Sequence, residues 1–142
     1  MKIRRGIFQG DSLSLLLFVV SLIPMTLVLR KAKMSYSLGK EKHSVNHLLF
    51  MDDLKLYSTS NNQIDSLVNT VRIFSMDIKM EFGLDKCAVL VMKRGKIVES
   101  AGIPMPNQEV MKALKHDDKY KYLGVLEADD IKHEEMKKSH QN

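Results

Sequence analysis

The sequence predicts an α+β fold, an antiparallel sheet with helices packed on one face, and three observations carry that prediction. One long apolar run and one segment with apolar residues at helical spacing read as helices, several short runs alternate in the manner of strands, and the segments follow as helix, hairpin, helix, hairpin, strand, helix. This order lacks the regular strand–helix alternation of a doubly wound sheet. With 142 residues, 44% hydrophobic and 27% charged, the chain is one domain or a piece of one, and it is neither disordered nor fibrous.

The first element is an apolar helix. Residues 13–29, LSLLLFVVSLIPMTLVL, follow Asp11 and Ser12, either of which can serve as N-cap, and the helix is expected to run to about Lys33 with a kink near Pro24. Basic residues flank it at Arg4, Arg5, Arg30 and Lys31. The run falls short of an uninterrupted membrane span and includes Ser14, Ser21, Pro24 and Thr26, so it is read as a core helix with no membrane partner. A helix apolar on nearly all sides needs neighbours on nearly all sides.

Residues 34–44, MSYSLGKEKHS, read as a strand and a turn around Gly39. Next comes HLLFMDDLKLY, residues 47–57, in which two alternating strands enclose Asp52 and Asp53 as a hairpin with an acidic tip. Asn61 and Asn62 are candidate N-caps for a second helix with apolar positions Ile64, Leu67, Val68, Val71, Phe74 and Ile78, ended by Gly83. CAVLVMK, 87–93, reads as a strand, Arg94-Gly95 as a turn and Lys96 to Glu99 as a return strand. AGIPMPNQ reads as loop because Pro104 and Pro106 interrupt pairing. KYKYLGVLE, 119–127, is a further strand candidate, and Asp129 or Asp130 can cap a polar C-terminal helix.

Charge and cysteine usage narrow the classes of function. Lys and Arg number 22 against 17 Asp and Glu, a net charge of +5, which favours a polyanionic partner such as nucleic acid. One cysteine, Cys87, excludes an internal disulfide framework and a multi-thiolate zinc site; it is read as a buried strand residue in a protein of a reducing compartment, nucleus or cytoplasm. His133-Glu134-Glu135 and His140 miss the spacing that sets two imidazoles on one helix face.

Of three adjacent acid pairs, Asp117-Asp118 and Asp129-Asp130 lie among charged residues, whereas Asp52-Asp53 is flanked by apolar residues on both sides. Two like charges held beside a buried sheet are costly unless a cation neutralises them. Hard carboxylate oxygens at a rigid tip suit magnesium, which binds through one or two carboxylates plus substrate phosphates.

Four ordered blocks resemble a known family. Gln9-Gly10-Asp11-Ser12-Leu13-Ser14 with Leu16, Leu17 and Phe18 resembles motif B of reverse transcriptases, and Phe50-Met51-Asp52-Asp53 their motif C. Phe82-Gly83-Leu84-Asp85-Lys86-Cys87 resembles motif D of the non-LTR, LINE-like retrotransposon branch, and Tyr120-Lys121-Tyr122-Leu123-Gly124-Val125 the primer-grip motif. Departures are Ser12 and Leu15, where proline is usual, and Met51, where that branch has alanine and retroviral members have methionine.

The resemblance implies an RNA-directed DNA polymerase, a nucleotidyltransferase, with a partial palm over residues 1–118 and a primer-grip strand and the start of the thumb over 119–142. It implies two Mg²⁺ (or Mn²⁺) ions in the complete enzyme, with Asp52 as direct ligand and Asp53 as second ligand. Lys86 would be the general acid for pyrophosphate release, Gln9 and Gly10 would lie by the template base and incoming dNTP, and Phe50 and Met51 would border the primer end. Tyr122, Leu123 and Gly124 would contribute to the grip on a DNA primer paired with an RNA template. Asp11 is read as a helix cap rather than a ligand. Motif A, with another metal-binding aspartate, is expected upstream of Met1, as are the fingers, and most of the thumb beyond Asn142. The missing segments would then come in cis or from a partner chain. The alternative is a truncated, non-catalytic relic that at most binds nucleic acid nonspecifically.

Overall fold

In the computed structural model, residues 12–38, 43–80, 83–106, 108–115, 118, 120–122 and 125–127 are described. Their contacts divide the chain into two compact units, Met1–Met80 and Glu81–Asn142.

The first unit opens with α1 (Ser12–Lys31). The helix is described from Ser12 onward, and Asp11, the other candidate cap, lies outside the described residues. Pro24 lies inside it and supplies no N–H to the preceding turn, while the Ser21 and Thr26 hydroxyls donate back to the Phe18 and Leu22 carbonyls at 2.6 and 3.4 Å. Only Leu22, Met25 and Leu29, one face at helical spacing, are buried. Leu13, Leu15, Leu16, Leu17, Val19, Val20, Ile23, Leu27 and Val28 are all exposed. The sequence reading of a core helix is therefore met on one face alone, because the described residues supply neighbours on one side only. Among them α1 is the one helix long and apolar enough to cross a membrane.

Strands β1 (Tyr36–Leu38) and β2 (His43–Val45) pair antiparallel, as do β3 (His47–Phe50) and β4 (Asp53–Leu56). Helix α2 (Asn61–Asp77) follows. Its N-cap is Ser60, whose Oγ accepts from the Gln63 N–H at 3.4 Å, and not the expected Asn61 or Asn62. Its end also differs from expectation. Lys79 adopts φ 59°, the Lys79 N–H donates to the Met76 carbonyl at 3.0 Å, and the Met80 N–H to the Ser75 carbonyl at 2.8 Å. These two bonds form a Schellman motif, so the left-handed residue that stops the helix is a lysine, several positions before Gly83. Leu67, Val68 and Val71 are buried on α2, which packs against α1 and β4.

The buried polar residue of this core is Asn46, on the single-residue link between β2 and β3. Its Nδ2 donates to the Leu29 carbonyl in the last turn of α1, adding a second donor to a carbonyl that otherwise has only the Ala32 N–H, at 3.1 Å and shared with Val28. Its own carbonyl accepts from the Tyr57 N–H at 2.8 Å, which extends the β3–β4 ladder by one rung. One side chain and one peptide group thus fix the helix end to the acidic hairpin.

The second unit begins with a 3₁₀ turn (Leu84–Lys86). The strand expected over 87–93 is divided into β5 (Ala88–Val89) and β6 (Met92–Lys93), and β7 (Lys96–Ile97) returns from β6 as the turn at Arg94-Gly95 predicts. The stretch read as loop contains β8 (Ile103–Pro104), paired antiparallel with β9 (Val110–Ala113). Pro104 is tolerated because β8 is an edge strand in the order β5-β9-β8. Gly102 precedes it at φ 83°, and a Cβ there would strike the Met111 carbonyl oxygen, so only glycine fits. Ile103 and Met111, opposite one another, form the buried pair of this sheet. The last strand candidate is two strands, β10 (Tyr120–Tyr122) and β11 (Val125–Glu127), paired antiparallel.

The architecture is mixed α+β, two helices with several small sheets. It differs from the single antiparallel sheet of the prediction in two ways: the described strands form separate small sheets, and β5 pairs with β9 in parallel. Hairpin signals are local in the sequence, whereas pairing between distant strands leaves no local mark. The capping helix expected after Asp129 or Asp130 lies outside the described residues.

Removing the Asn46 side chain leaves the buried Leu29 carbonyl with only the Ala32 N–H, which it shares with Val28, and takes away the acceptor of the His47 Nδ1–H. Asn46→Ala is expected to destabilise the first unit by about 1–3 kcal/mol, read as a lower midpoint in urea unfolding followed by far-UV circular dichroism.

Candidate metal centre at the β3–β4 hairpin

The acidic pair sits at a two-residue turn. Phe50 pairs with Asp53, leaving Met51 and Asp52 as the turn residues. Met51 has φ 53° and Asp52 is not left-handed, the sign pattern of a type II′ turn, whose twist matches that of a hairpin. Glycine usually fills the first position of such a turn, so a methionine there holds the backbone in a conformation that costs free energy.

The hairpin has two unlike faces. Cross-strand partners share a face, so His47 and Leu56, with Leu49 and Leu54, form the inward one, and Leu48 and Lys55, with Phe50 and Asp53, the outward one. Leu49 and Leu54 are half-buried, whereas Phe50 is 55% exposed and Met51 44%. Asp52 and Asp53 are both exposed. The alternation read from the sequence is correct, but the inferred cost of two carboxylates beside buried surface is not, because both acids are exposed and Phe50 and Met51, on one side of the pair, are exposed with them. The outward face joins an apolar strip to a carboxylate pair.

His47 is tied to the same junction. Because the Asn46 amide nitrogen is used on Leu29, its Oδ1 faces the imidazole, and the His47 Nδ1–H donates to it at 2.7 Å. Burial lowers the His47 pKa from its ordinary value, and the Arg30 guanidinium adds to the effect. Sequence reasoning singled out neither His47 nor Asn46. The available signal was a polar amide at the entrance to an otherwise apolar strand.

The remaining predicted residues belong to the second unit or lie outside the described residues. Lys86 is exposed at the end of the 3₁₀ turn, its N–H donating to the Gly83 carbonyl at 2.8 Å and its carbonyl accepting from the Tyr120 hydroxyl at 3.4 Å. Cys87 is half-buried and precedes β5; burial, and then the Asp85 carboxylate, push its thiol pKa up. Tyr122 ends β10 and pairs with Val125. Gln9, Gly10, Leu123 and Gly124 lie outside the described residues.

Asp52 and Asp53 are hard oxygen donors of the kind magnesium or manganese takes. Among the described residues, no His, Cys, Asp or Glu joins them to make a group of three. The donors fit a divalent cation in chemistry and supply part of a coordination shell.

Two outcomes follow from this geometry. Met51→Gly is expected to relieve the turn and raise stability by up to about 1 kcal/mol, measured as an increased unfolding midpoint. A histidine with a lowered pKa binds a proton more readily in the unfolded chain, so the stability from neutral His47 is full above about pH 6.5 and declines as pH falls from there toward the folded pKa. Unfolding midpoints should drop on acidification from pH 7.5 to 5.5, and the His47→Gln variant should show a shallower drop.

A comparison with protein families matches residues 1–126 to the family described as reverse transcriptase (RNA-dependent DNA polymerase). Comparisons with curated proteins and with solved structures give no significant match. The family match spans most of the chain and includes the acidic hairpin, the segment around Lys86 and the Tyr120–Tyr122 strand. The chain belongs to the reverse transcriptase family, a family of nucleotidyltransferases that act on nucleic acids and generally use divalent metals.

Proposed function

We propose that this chain carries the palm portion of an RNA-directed DNA polymerase from a non-LTR, LINE-like retrotransposon, over residues 1–118, with the primer-grip strand and the start of the thumb in 119–142. The observation that carries the reading is the tight hairpin that presents Phe50, Met51, Asp52 and Asp53 on an exposed tip, inside a segment that matches the family. Divalent ions bound there would assist attack by the primer 3′ hydroxyl and neutralise charge on the leaving pyrophosphate.

The chain's own residues position the reactants. Asp52, free of the ladder at the turn, would be the direct ligand, and Asp53, fixed by its pairing with Phe50, the second. Exposed Phe50 and Met51 would offer apolar contact to the primer end, and Lys86 would give a proton to the departing pyrophosphate. Gln9 and Gly10 would line the nucleotide side, and Tyr122, Leu123 and Gly124 the primer side. Catalysis of this class is mostly positioning and charge neutralisation, so a third carboxylate, supplied in cis or by a partner chain, would be required for turnover.

The two-carboxylate donor set also favours a second reading, a non-catalytic relic that at most binds nucleic acid nonspecifically. Titration with Mn²⁺, followed by the loss of its free paramagnetic signal, separates the two. On the polymerase reading Asp52→Asn weakens binding by at least the ~10–100-fold that follows from disturbing a ligand's support alone. Equal affinity in wild type and variant would overturn it.

A further inference from the structure

The β6–β7 hairpin departs from what stability alone would select. Its turn is Arg94-Gly95, with φ 51° and 76°, positive at both positions as a type I′ turn requires. Glycine accepts that conformation freely, and no atom lies within 4 Å of where a Gly95 Cβ would be, but asparagine, aspartate or glycine is the usual choice at the first position. Arginine instead occupies it under backbone strain. The flanking rung opposes Lys93 and Lys96, two cations on one face, where opposite charges would attract and like charges repel.

All three cations are exposed, and among the described residues none has an acidic partner. From Met92 to Ile97 the sequence is MKRGKI, without an acid. Guarding an open strand edge accounts for lysines in general. It does not account for a lysine facing a lysine, since a glutamate opposite would guard as well and attract, nor for arginine in the left-handed turn. A polyanion that neutralises all three charges removes the repulsion and makes the strained choice useful.

We propose that the β6–β7 hairpin is a phosphate-backbone contact for nucleic acid, with Lys93, Arg94 and Lys96 as its cations. The contact is sequence-indifferent, because lysine and arginine on successive phosphates read charge and spacing rather than base edges. Choice of nucleic acid as the polyanion rests on the polymerase reading. The hairpin itself requires only a chain of phosphates.

The test uses the full chain and a short RNA–DNA hybrid duplex, with binding followed by fluorescence anisotropy over a salt series. The Lys93→Gln/Arg94→Gln/Lys96→Gln variant is expected to lose at least about tenfold in affinity at low salt, with a log–log salt slope shallower by roughly 2–3, since each phosphate contact contributes about 0.9. Lys93→Arg/Lys96→Arg, which keeps the charges, should bind like wild type and so separates charge from damage to the fold. Arg94→Asn should raise the unfolding midpoint while weakening binding. Wild-type affinity and slope in the triple variant, or no hybrid binding by wild type, would overturn the proposal. So would hairpin-dependent binding to anionic phospholipid vesicles without hairpin-dependent binding to the hybrid. Mn²⁺ titration of the triple variant keeps the two proposals apart: Asp52-dependent metal binding beside hairpin-independent hybrid binding sinks the phosphate contact alone. Asp52-independent metal binding beside a hairpin-dependent salt slope sinks the polymerase reading alone.

Discussion

The Asn46 amide holds the first unit together at the place where it matters for the acidic tip. The last carbonyls of a helix are under-supplied with donors, and Asn46 adds one to Leu29 from the neck of the β3–β4 hairpin. The same residue orients the His47 ring and extends the ladder through Tyr57. Burial of Leu22, Met25 and Leu29 on α1 and of Leu67, Val68 and Val71 on α2 drives association, but it is not directional. Direction comes from hydrogen bonds that accept one geometry, and these run through a single buried side chain.

Backbone strain is distributed in a pattern. The described non-glycine residues with positive φ are Met51, Lys79, Arg94 and Gln108. Lys79 terminates α2, and Gln108 lies between β8 and β9. Met51 and Arg94 stand at hairpin tips of opposite charge, beside Asp52-Asp53 and between Lys93 and Lys96. At both tips the residue that would relax the turn gives way to a larger, exposed side chain. Strain of this kind persists where the side chain has a use that the backbone conformation does not favour.

What could be read from the sequence follows the range of the signals. Helices α1 and α2, the acidic hairpin and the Arg94-Gly95 turn are specified by neighbours within a few residues, and each was legible. Helix ends were less so: Ser60 capped in place of Asn61 or Asn62, and Lys79 stopped α2 in place of Gly83, because a cap depends on where the first and last hydrogen bonds fall. The pairing of β8 with β9 was hidden by prolines that an edge strand accommodates. The apolar residues flanking Asp52-Asp53 implied burial, yet half of them belong to the outward face. The role of Asn46 depends on Leu29, which is distant in sequence and brought near only by the fold.

The sheet of the second unit has its central strand last. β9 lies between β5 and β8, both of which precede it in the chain, and Ala88 finds its partner only at Lys112. On a ribosome, β6 and β7 have closed their turn before either ladder of this sheet can form. The Ile103–Met111 contact and the cavity-free seat for Gly102 come into existence together, when Val110 to Ala113 arrives. Closure of this three-stranded sheet consequently waits on a strand of four residues, and its β5–β9 ladder carries the loop-closure entropy of contacts distant in sequence.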